Sequence, residues 1–293
     1  MSQPQPGILA PLPPLARYLT FVARPDGDPG AALAALAALV DGESTVAGLG
    51  ASLVAAVGGR IEGLQGFPRH SGAGFEVPAT GGALWCWLRG TDRGELLHRG
   101  RALERAVAPG LQLEQALDAF LYADGHDLTG YEDGTENPEG EAAAAAALAS
   151  GRGPGLDGSS FVAVQQWQHD LDHFAALPQA EQDHVIGRRR SDNQELADAP
   201  PSAHVKRTAQ ESFTPQAFVL RRSMPWAEGP RAGLVFTAFG HSCAAFEALL
   251  QRMAGVEDGT ADALFRFTRP LTGAYFWCPP LRDGRLDLSA LGR

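Results

Sequence analysis

Apolar and polar positions along the 293 residues fall into short alternating runs and amphipathic stretches that occur twice in the same order. ARYLTFVARPDGDPGAALAAL, from Ala16 to Leu36, begins with a strand-like alternation, breaks at a polar turn and continues with apolar residues at helical spacing. SSFVAVQQWQHDLDHFAAL, from Ser159 to Leu177, repeats that layout. A second pair is GALWCWLRGTDRGELLHRGRALERAVAPG (Gly82 to Gly110) and GLVFTAFGHSCAAFEALLQRMAG (Gly233 to Gly255). Each predicts a short strand, a polar loop and an amphipathic helix closed by a glycine suited to a left-handed C-terminal position. Each half then ends in a predicted strand, LEQALDAFLY (Leu113 to Tyr122) and DALFRFTRPLTGAYFW (Asp262 to Trp277). Strand, helix, strands, helix, strand is the order of a ferredoxin-like α+β unit, with helices on one face of an antiparallel sheet. The chain therefore reads as two such units, residues 1–145 and 146–293, able to pack sheet to sheet.

Between the halves, Gly130 to Gly158 is rich in glycine, alanine and proline and reads as a connector without a core element. It opens with GYEDGTENPEG, Gly130 to Gly140. Asp, Gly, Thr, Asn and Pro form turns, so the run can be a loop bonded to its own backbone. It also stands at a domain junction, where clefts form. Its spacing lacks the alternating oxygen ligands and terminal glutamate of an EF-hand, which excludes that calcium site.

Composition narrows the function. With 44% hydrophobic and 20% charged residues, the chain can bury a substantial core. A net charge of -10, from 24 basic and 34 acidic residues, argues against a nucleic-acid partner. Cys86, Cys243 and Cys278 are widely spaced, with no CxxC pair, and read as reduced buried thiols rather than a disulfide framework or a zinc site. No run approaches the ~18 apolar residues of a membrane span, and the N-terminus lacks the basic and apolar regions of a leader, so a cytoplasmic protein is expected.

Eight histidines offer candidate ligands. His169 and His173 stand four apart, but QHDLDH lacks the glutamate of HExxH and begins where a strand ends, so a solvated helix start is expected there. His204 lies in PPSAHVKR, a loop between HVIGRRRSDNQEL and the strand FVLRRSMPW. A lone loop histidine is ordinarily a surface residue, but its surroundings here form a pattern.

GYEDG extended as DGTENP, then GSSFVAVQQW, IGRRRSDNQEL, AHVKR, LRRSMPW and FRFTRPLTGAYFWCPP together resemble the dye-decolorizing peroxidase family, most closely its bacterial branch with compact loops. The resemblance runs from about Tyr18 to Pro280. It implies two ferredoxin-like units forming a dimeric α/β barrel within one chain, with haem b held by the second. It also implies a peroxidase that uses H2O2 to oxidise dyes, phenols and similar reductants through a ferryl intermediate.

By the same resemblance, His204 is the proximal iron ligand and Asp262 the acceptor for its other ring nitrogen, with a helix N-cap as the alternative role of Asp262. Asp133 looks like the distal group that moves the peroxide proton, and Arg221 like the cation that stabilises charge on the leaving oxygen. An aspartate with an ordinary pKa near 3.9 predicts activity on the acid side of neutrality. Strand alternation puts Ser223 on the face of Arg221 and Arg222 on the other; some relatives carry asparagine at the Ser223 position. Gly134, Thr135 and Glu136 border the cofactor, Glu136 and Asn137 serving more to hold the loop. Arg188 matches the arginine that meets a haem propionate, with Arg189 and Arg190 as neighbouring competitors.

Trp226, Tyr131, Tyr275 and Trp277 are oxidisable, but core packing is the first reading over an electron relay. LDLSAL, in the tail Arg282 to Arg293, is faintly similar to peptides that dock some relatives inside a protein shell; otherwise it is a terminal tail. A homo-oligomer is plausible by family. The rival functions are a haem-binding or haem-handling protein with incidental peroxidase activity, which has no use for Asp133 beside Arg221, and a haem-free scaffold, which leaves His204 unexplained.

Overall fold

The computed structural model describes residues 2–72 and 74–293. Its first half runs β1 (Leu15–Ala23), α1 (Pro29–Leu39), β2 (Thr45–Leu49), α2 (Ala51–Ala56), the hairpin β3 (His70–Gly72) and β4 (Phe75–Val77), β5 (Leu84–Gly90), α3 (Arg93–Val107) and β6 (Leu111–Phe120). α4 (Gly140–Ala147) lies between the halves. The second half runs β7 (Ser160–His169), α5 (Leu171–Ala176), α6 (Gln179–Ile186), α7 (His204–Arg207), β8 (Leu220–Arg221), β9 (Met224–Glu228), β10 (Arg231–Gly240) and α8 (Ala244–Met253). It closes with β11 (Thr268–Pro270), β12 (Ala274–Cys278) and the hairpin β13 (Leu281–Arg282) and β14 (Arg285–Leu286).

Strands pair in the order β6-β1-β5-β2 in the first half and β12-β7-β10-β9 in the second, all antiparallel. Each half is a ferredoxin-like unit, and the two orders are the same when the strands of each half are counted from its start. β8 and β9 both pair with β10, and β11 and β12 both with β7, so each pair is one strand interrupted by an irregular stretch. The units meet at their edges: Ala119 of β6 opposite Trp226 of β9, and Trp277 of β12 opposite Leu49 of β2. The sheet-to-sheet packing expected from the sequence is thereby realised as a closed barrel.

The period-2 pattern explains both layers. On β5, Trp85 and Trp87 face the interior with Tyr18, Val162, Phe239 and Phe276, whereas Leu84, Cys86 and Leu88 face outward. The outer face is covered in the first half by Leu33 and Leu36 of α1 and by Leu96, Leu103 and Val107 of α3. Asp28 and Asp92 cap these helices, each accepting from a backbone N–H three residues on, Ala31 at 2.9 Å and Glu95 at 2.8 Å. Gly255 takes the left-handed position expected after α8, at φ +71. Gly110 does not; it is needed because a Cβ there would meet the Asp28 carbonyl oxygen at 2.3 Å.

Three local expectations are corrected. The connector contains a core element, since Ala143 and Ala147 of α4 pack into the barrel-interior cluster. The run from Asp262 does not begin as a strand: Ala263–Arg266 is a 3-10 turn, and pairing starts at Thr268. The C-terminal segment is not loose either, because Leu286 and Leu291 are buried in the outer core and the Asp287 carboxylate accepts from Ser2 and Ser289.

Candidate functional site

His204 is the first residue of α7, and its position is fixed from three directions. Arg207, at the other end of that turn, is 5% exposed, forms a two-pronged ion pair with Asp258 at 2.8 and 2.9 Å and donates to the Arg252 carbonyl in α8. The backbone N–H of Asp262 donates to the carbonyl of Met253, the last residue of α8, at 2.7 Å. The N–H of Ala263 donates to the Ser202 carbonyl, two residues before His204, at 2.8 Å. Together these contacts bring Asp262 to the imidazole, and His204 Nδ1 and Asp262 Oδ2 are 2.7 Å apart. The other carboxylate oxygen, Oδ1, accepts from Leu264 N at 2.9 Å, so Asp262 is both cap and imidazole partner, one oxygen to each. With Nδ1 engaged, Nε2 remains as the donor atom of this ring.

His204 lines a cavity between the outer face of β7 and β10 and helices α7 and α8. Its walls are mostly apolar, with Val219, Leu234, Phe236, Leu249, Met253 and Phe267 among them. Asp133 and Arg221 also line it.

The loop carrying Asp133 is held by several contacts. Asn137 brackets the backbone of Arg221, its Oδ1 accepting from Arg221 N at 2.8 Å and its Nδ2 donating to Arg221 O at 3.1 Å, as a neighbouring strand would. Gln210 donates to the Glu136 carbonyl at 2.9 Å and accepts from Val219 N at 2.9 Å. Asn193 donates to Glu132 and to the Thr135 hydroxyl, both at 2.8 Å. Gly134 has φ +86, and a Cβ there would meet Asn137 Nδ2 at 2.8 Å, so this glycine is required by both conformation and space. Asn137 and the Glu136 carbonyl are thus among the contacts that anchor the loop.

Arg188 is ion-paired with Glu136 and donates to the Asn193 carbonyl at 2.8 Å. It borders an adjoining cleft lined also by His204, Asp133 and Arg221. Its competitors are engaged elsewhere: Arg189 pairs with Asp192 at 2.8 Å, and the Arg190 guanidinium lies against Gly130. Ser223 lines a neighbouring cleft with Asp133, Gly134 and Arg221 rather than the His204 cavity, and is 5% exposed. Arg222 points the other way, as alternation requires, and donates to the carbonyls of Ile8 and Leu9. Tyr131, Tyr275, Trp226 and Trp277 are all buried in hydrophobic clusters.

The sequence missed His169. It is not on a helix with His173; it ends β7, lines the His204 cavity, and bonds Asp127 Oδ2 through Nε2 at 3.0 Å and the Thr268 hydroxyl through Nδ1 at 2.6 Å. Burial alone would raise the Asp127 carboxyl pKa, but the bond and charge of His169, with the Thr129 bonds, outweigh it and hold the pKa below the ordinary carboxylate range. The HDLTG stretch before the opening motif thereby supports a residue of the cavity wall from behind. Among the described residues no group of three or more His, Cys, Asp or Glu is arranged to hold a bare metal ion.

The donor set fits haem on this evidence: one imidazole with a carboxylate behind it, a mostly apolar lining, and a carboxylate and a guanidinium on the same cavity. Arg221 Nε has no hydrogen-bond partner among the described residues although it is buried.

Comparison with known proteins gives one consistent result. A family model described as "Dyp-type peroxidase, C-terminal" matches residues 124–283. A dye-decolorizing peroxidase of Mycolicibacterium paratuberculosis is 29% identical over 300 aligned positions, covering 94% of this chain and 83% of that protein. One from Rhodococcus erythropolis is 29% identical, covering 94% and 86%. Among solved structures, a putative Dyp-type peroxidase from Shewanella oneidensis superposes with a TM-score of 0.87 at 27% identity, over 99% of this chain and 98% of that one. A variant of Rhodococcus jostii RHA1 DypB in complex with heme superposes with a TM-score of 0.84 at 27% identity, over 93% and 94%.

Proposed function

The chain belongs to the Dyp-type peroxidase family and is a haem-dependent peroxidase, and from that premise we propose that His204 is the axial ligand and that Asp133 and Arg221 handle peroxide. The observation that carries this reading is the His204–Asp262 pair on one wall of a cavity that Asp133 and Arg221 also line. Haem b, when bound, supplies a redox centre that takes two electrons' worth of oxidation from H2O2 and returns to rest by two one-electron reductions.

The remaining chemistry belongs to the chain. Asp262 accepts from Nδ1, fixing the tautomer of His204 and making its Nε2 a stronger donor. Asp133 receives a proton from the nearer peroxide oxygen and returns it to the departing one, which leaves as water. Arg221 stabilises negative charge on that departing oxygen, and Asn137 keeps its backbone aligned with the Asp133 loop. Ser223, Gly134, Thr135 and Glu136 shape the approach to this pair, and Arg188 is a partner for a propionate once it exchanges its bond to Glu136. A haem-storage role gives no use for a carboxylate and a guanidinium held together, so catalysis is favoured.

We also place the domain boundary at 145/146, inside α4, which joins the two halves, with haem on the second domain. Three buried free cysteines support a reducing, cytoplasmic setting, and no helix among the described residues is long and apolar enough to cross a membrane. Small-molecule reductants are the partners expected, with neither nucleic acid nor membrane among them, and a homo-oligomer is retained from the family resemblance. Docking in a protein shell through LDLSAL would require that segment to leave its packed position.

The test is the visible spectrum of the hemin-reconstituted protein before and after one equivalent of H2O2. His204→Ala is expected to lose or strongly alter the Soret band. Asp133→Ala is expected to bind haem normally but respond to peroxide at least ~100-fold more slowly. A normal Soret band in His204→Ala overturns the ligand assignment; an unchanged rate in Asp133→Ala overturns the proton assignment.

A further inference from the structure

Two clefts of unequal size adjoin the His204 cavity. The larger is lined by Arg188, Lys206 and His204 itself, so on the assignments above the cofactor edge and its propionate take that opening. The smaller carries none of these three. It shares with the His204 cavity only Asp133, Arg221 and Leu234, and so arrives at the two residues assigned to peroxide. Leu12, Leu121 and His126 line it too; they are partly exposed and adjoin exposed chain at Pro11 and at 122–124, which makes them its outer end. Apolar side chains outside and a carboxylate and a guanidinium inside describe a short passage that sorts by width before any chemistry occurs.

The width of that passage is built into the segment before β1. Leu12 lies in Pro11-Leu12-Pro13-Pro14, where three prolines fix φ and Pro13 confines Leu12 to extended backbone. The segment is also tied down along its length. Arg222, which strand alternation turns away from the His204 cavity, donates to the carbonyls of Ile8 at 3.2 Å and Leu9 at 2.9 Å. Arg89 donates to the Pro11 carbonyl, and Leu121 N to the Pro14 carbonyl at 2.9 Å. Leu12 itself packs against the barrel-interior cluster. The adjacent arginines of LRRS thus have separate tasks: Arg221 faces the passage, and Arg222 holds the strap that lays Leu12 across its outer end. A strap so constrained has little freedom to swing aside, so Leu12 sets a fixed width.

We propose that this passage is the route by which peroxide reaches Asp133 and Arg221, and that Leu12 is a specificity-determining residue that admits H2O2 and excludes branched alkyl hydroperoxides. The inference rests on the assignment of Asp133 and Arg221 to peroxide. An alkyl group on one oxygen meets Leu12 and Leu121 before the O–O bond comes within reach of the carboxylate.

The test follows the Soret band of the haem-loaded protein in stopped flow with H2O2 and with tert-butyl hydroperoxide. The same measurement with cyanide and with imidazole, two haem ligands that differ in width, reads passage without peroxide chemistry. Wild type is expected to respond to H2O2 about 100-fold or more faster than to tert-butyl hydroperoxide. Leu12→Ala is expected to raise the rate with tert-butyl hydroperoxide relative to H2O2, and that of imidazole relative to cyanide, each by about tenfold or more. Leu121→Ala widens the same end from β6 and carries the same expectation should Leu12→Ala not fold. Equal wild-type rates with the two peroxides, unchanged ratios in the folded variants, or a peroxide ratio that moves while the ligand ratio does not, each overturns the proposal. An unchanged H2O2 rate in Asp133→Ala removes the proton assignment instead, and the imidazole–cyanide ratio still reads the width that Leu12 sets.

Discussion

At the scale of single residues, Asp262 and Asp127 act through histidines in different ways. Asp262→Asn keeps an oxygen to cap Leu264 but replaces the carboxylate beside His204 Nδ1. If the pair tunes the ligand, peroxide turnover should fall about 10- to 100-fold with haem still bound. A change under about twofold in steady-state turnover, with an unaltered reduction potential, would leave Asp262 as a cap alone. Asp127 is a stability group. Its folded pKa is depressed, so its contribution is full above the unfolded value near 3.9 and is lost as pH falls through the lower folded value. Asp127→Asn should therefore be less stable than wild type at neutral pH, by about 3 kcal/mol for breaking one side of a buried pair. The two should converge as pH drops below about 4. Denaturant midpoints at pH 7, 5 and 3.5 check this, and a constant difference across that range would contradict it.

At the scale of elements, the opening motif works as a clasp between the halves rather than as an isolated loop. Asn137→Ala removes both bonds to the Arg221 backbone, and the expected cost is a ten- to hundredfold loss in kcat through misplacement of Arg221, with the Soret band retained. Steady-state kinetics read it, and a pure KM effect would contradict it. Gly134→Ala should destabilise by about 1–2 kcal/mol, because a side chain at that left-handed position is strained and crowds Asn137. A thermal melt measures that change. Elements of this kind were legible where the signal was local. Period-2 alternation revealed both ferredoxin-like halves, and the ordered blocks around GYEDG, His204 and Arg221 identified the cavity. His169 was not legible, since its partners Asp127 and Thr268 lie 42 and 99 residues away and its own neighbourhood reads as a polar helix start. α4 was missed for a related reason: an alanine run has high helix propensity but no amphipathic pattern, and only the barrel end it covers makes it a core element.

At the scale of the whole molecule, duplication and closure set how backbone pairing is distributed around the barrel. Within each half the central strands pair at length, β1 with β5 from Leu15 to Phe21 and β7 with β10 over eight residues from Phe161 to Gln168. Where the halves meet, the ladder is brief, a single opposed pair at each seam. Backbone hydrogen bonding is therefore concentrated within the halves, while the seams depend on buried side chains such as Trp226 and Trp277, both 0% exposed. Since amide protection follows the free energy of local opening, the seams should open before the central strands. Hydrogen exchange should then show faster exchange at Thr45–Leu49 and Met224–Glu228 than at Ser160–His169, with the central strands exchanging only on global unfolding. Haem should slow exchange along β7 and β10, which wall its cavity, more than along β2 and β5, which do not touch it. Uniform protection around the barrel would instead mean that closure, and not pairing within each half, is the cooperative unit of this fold.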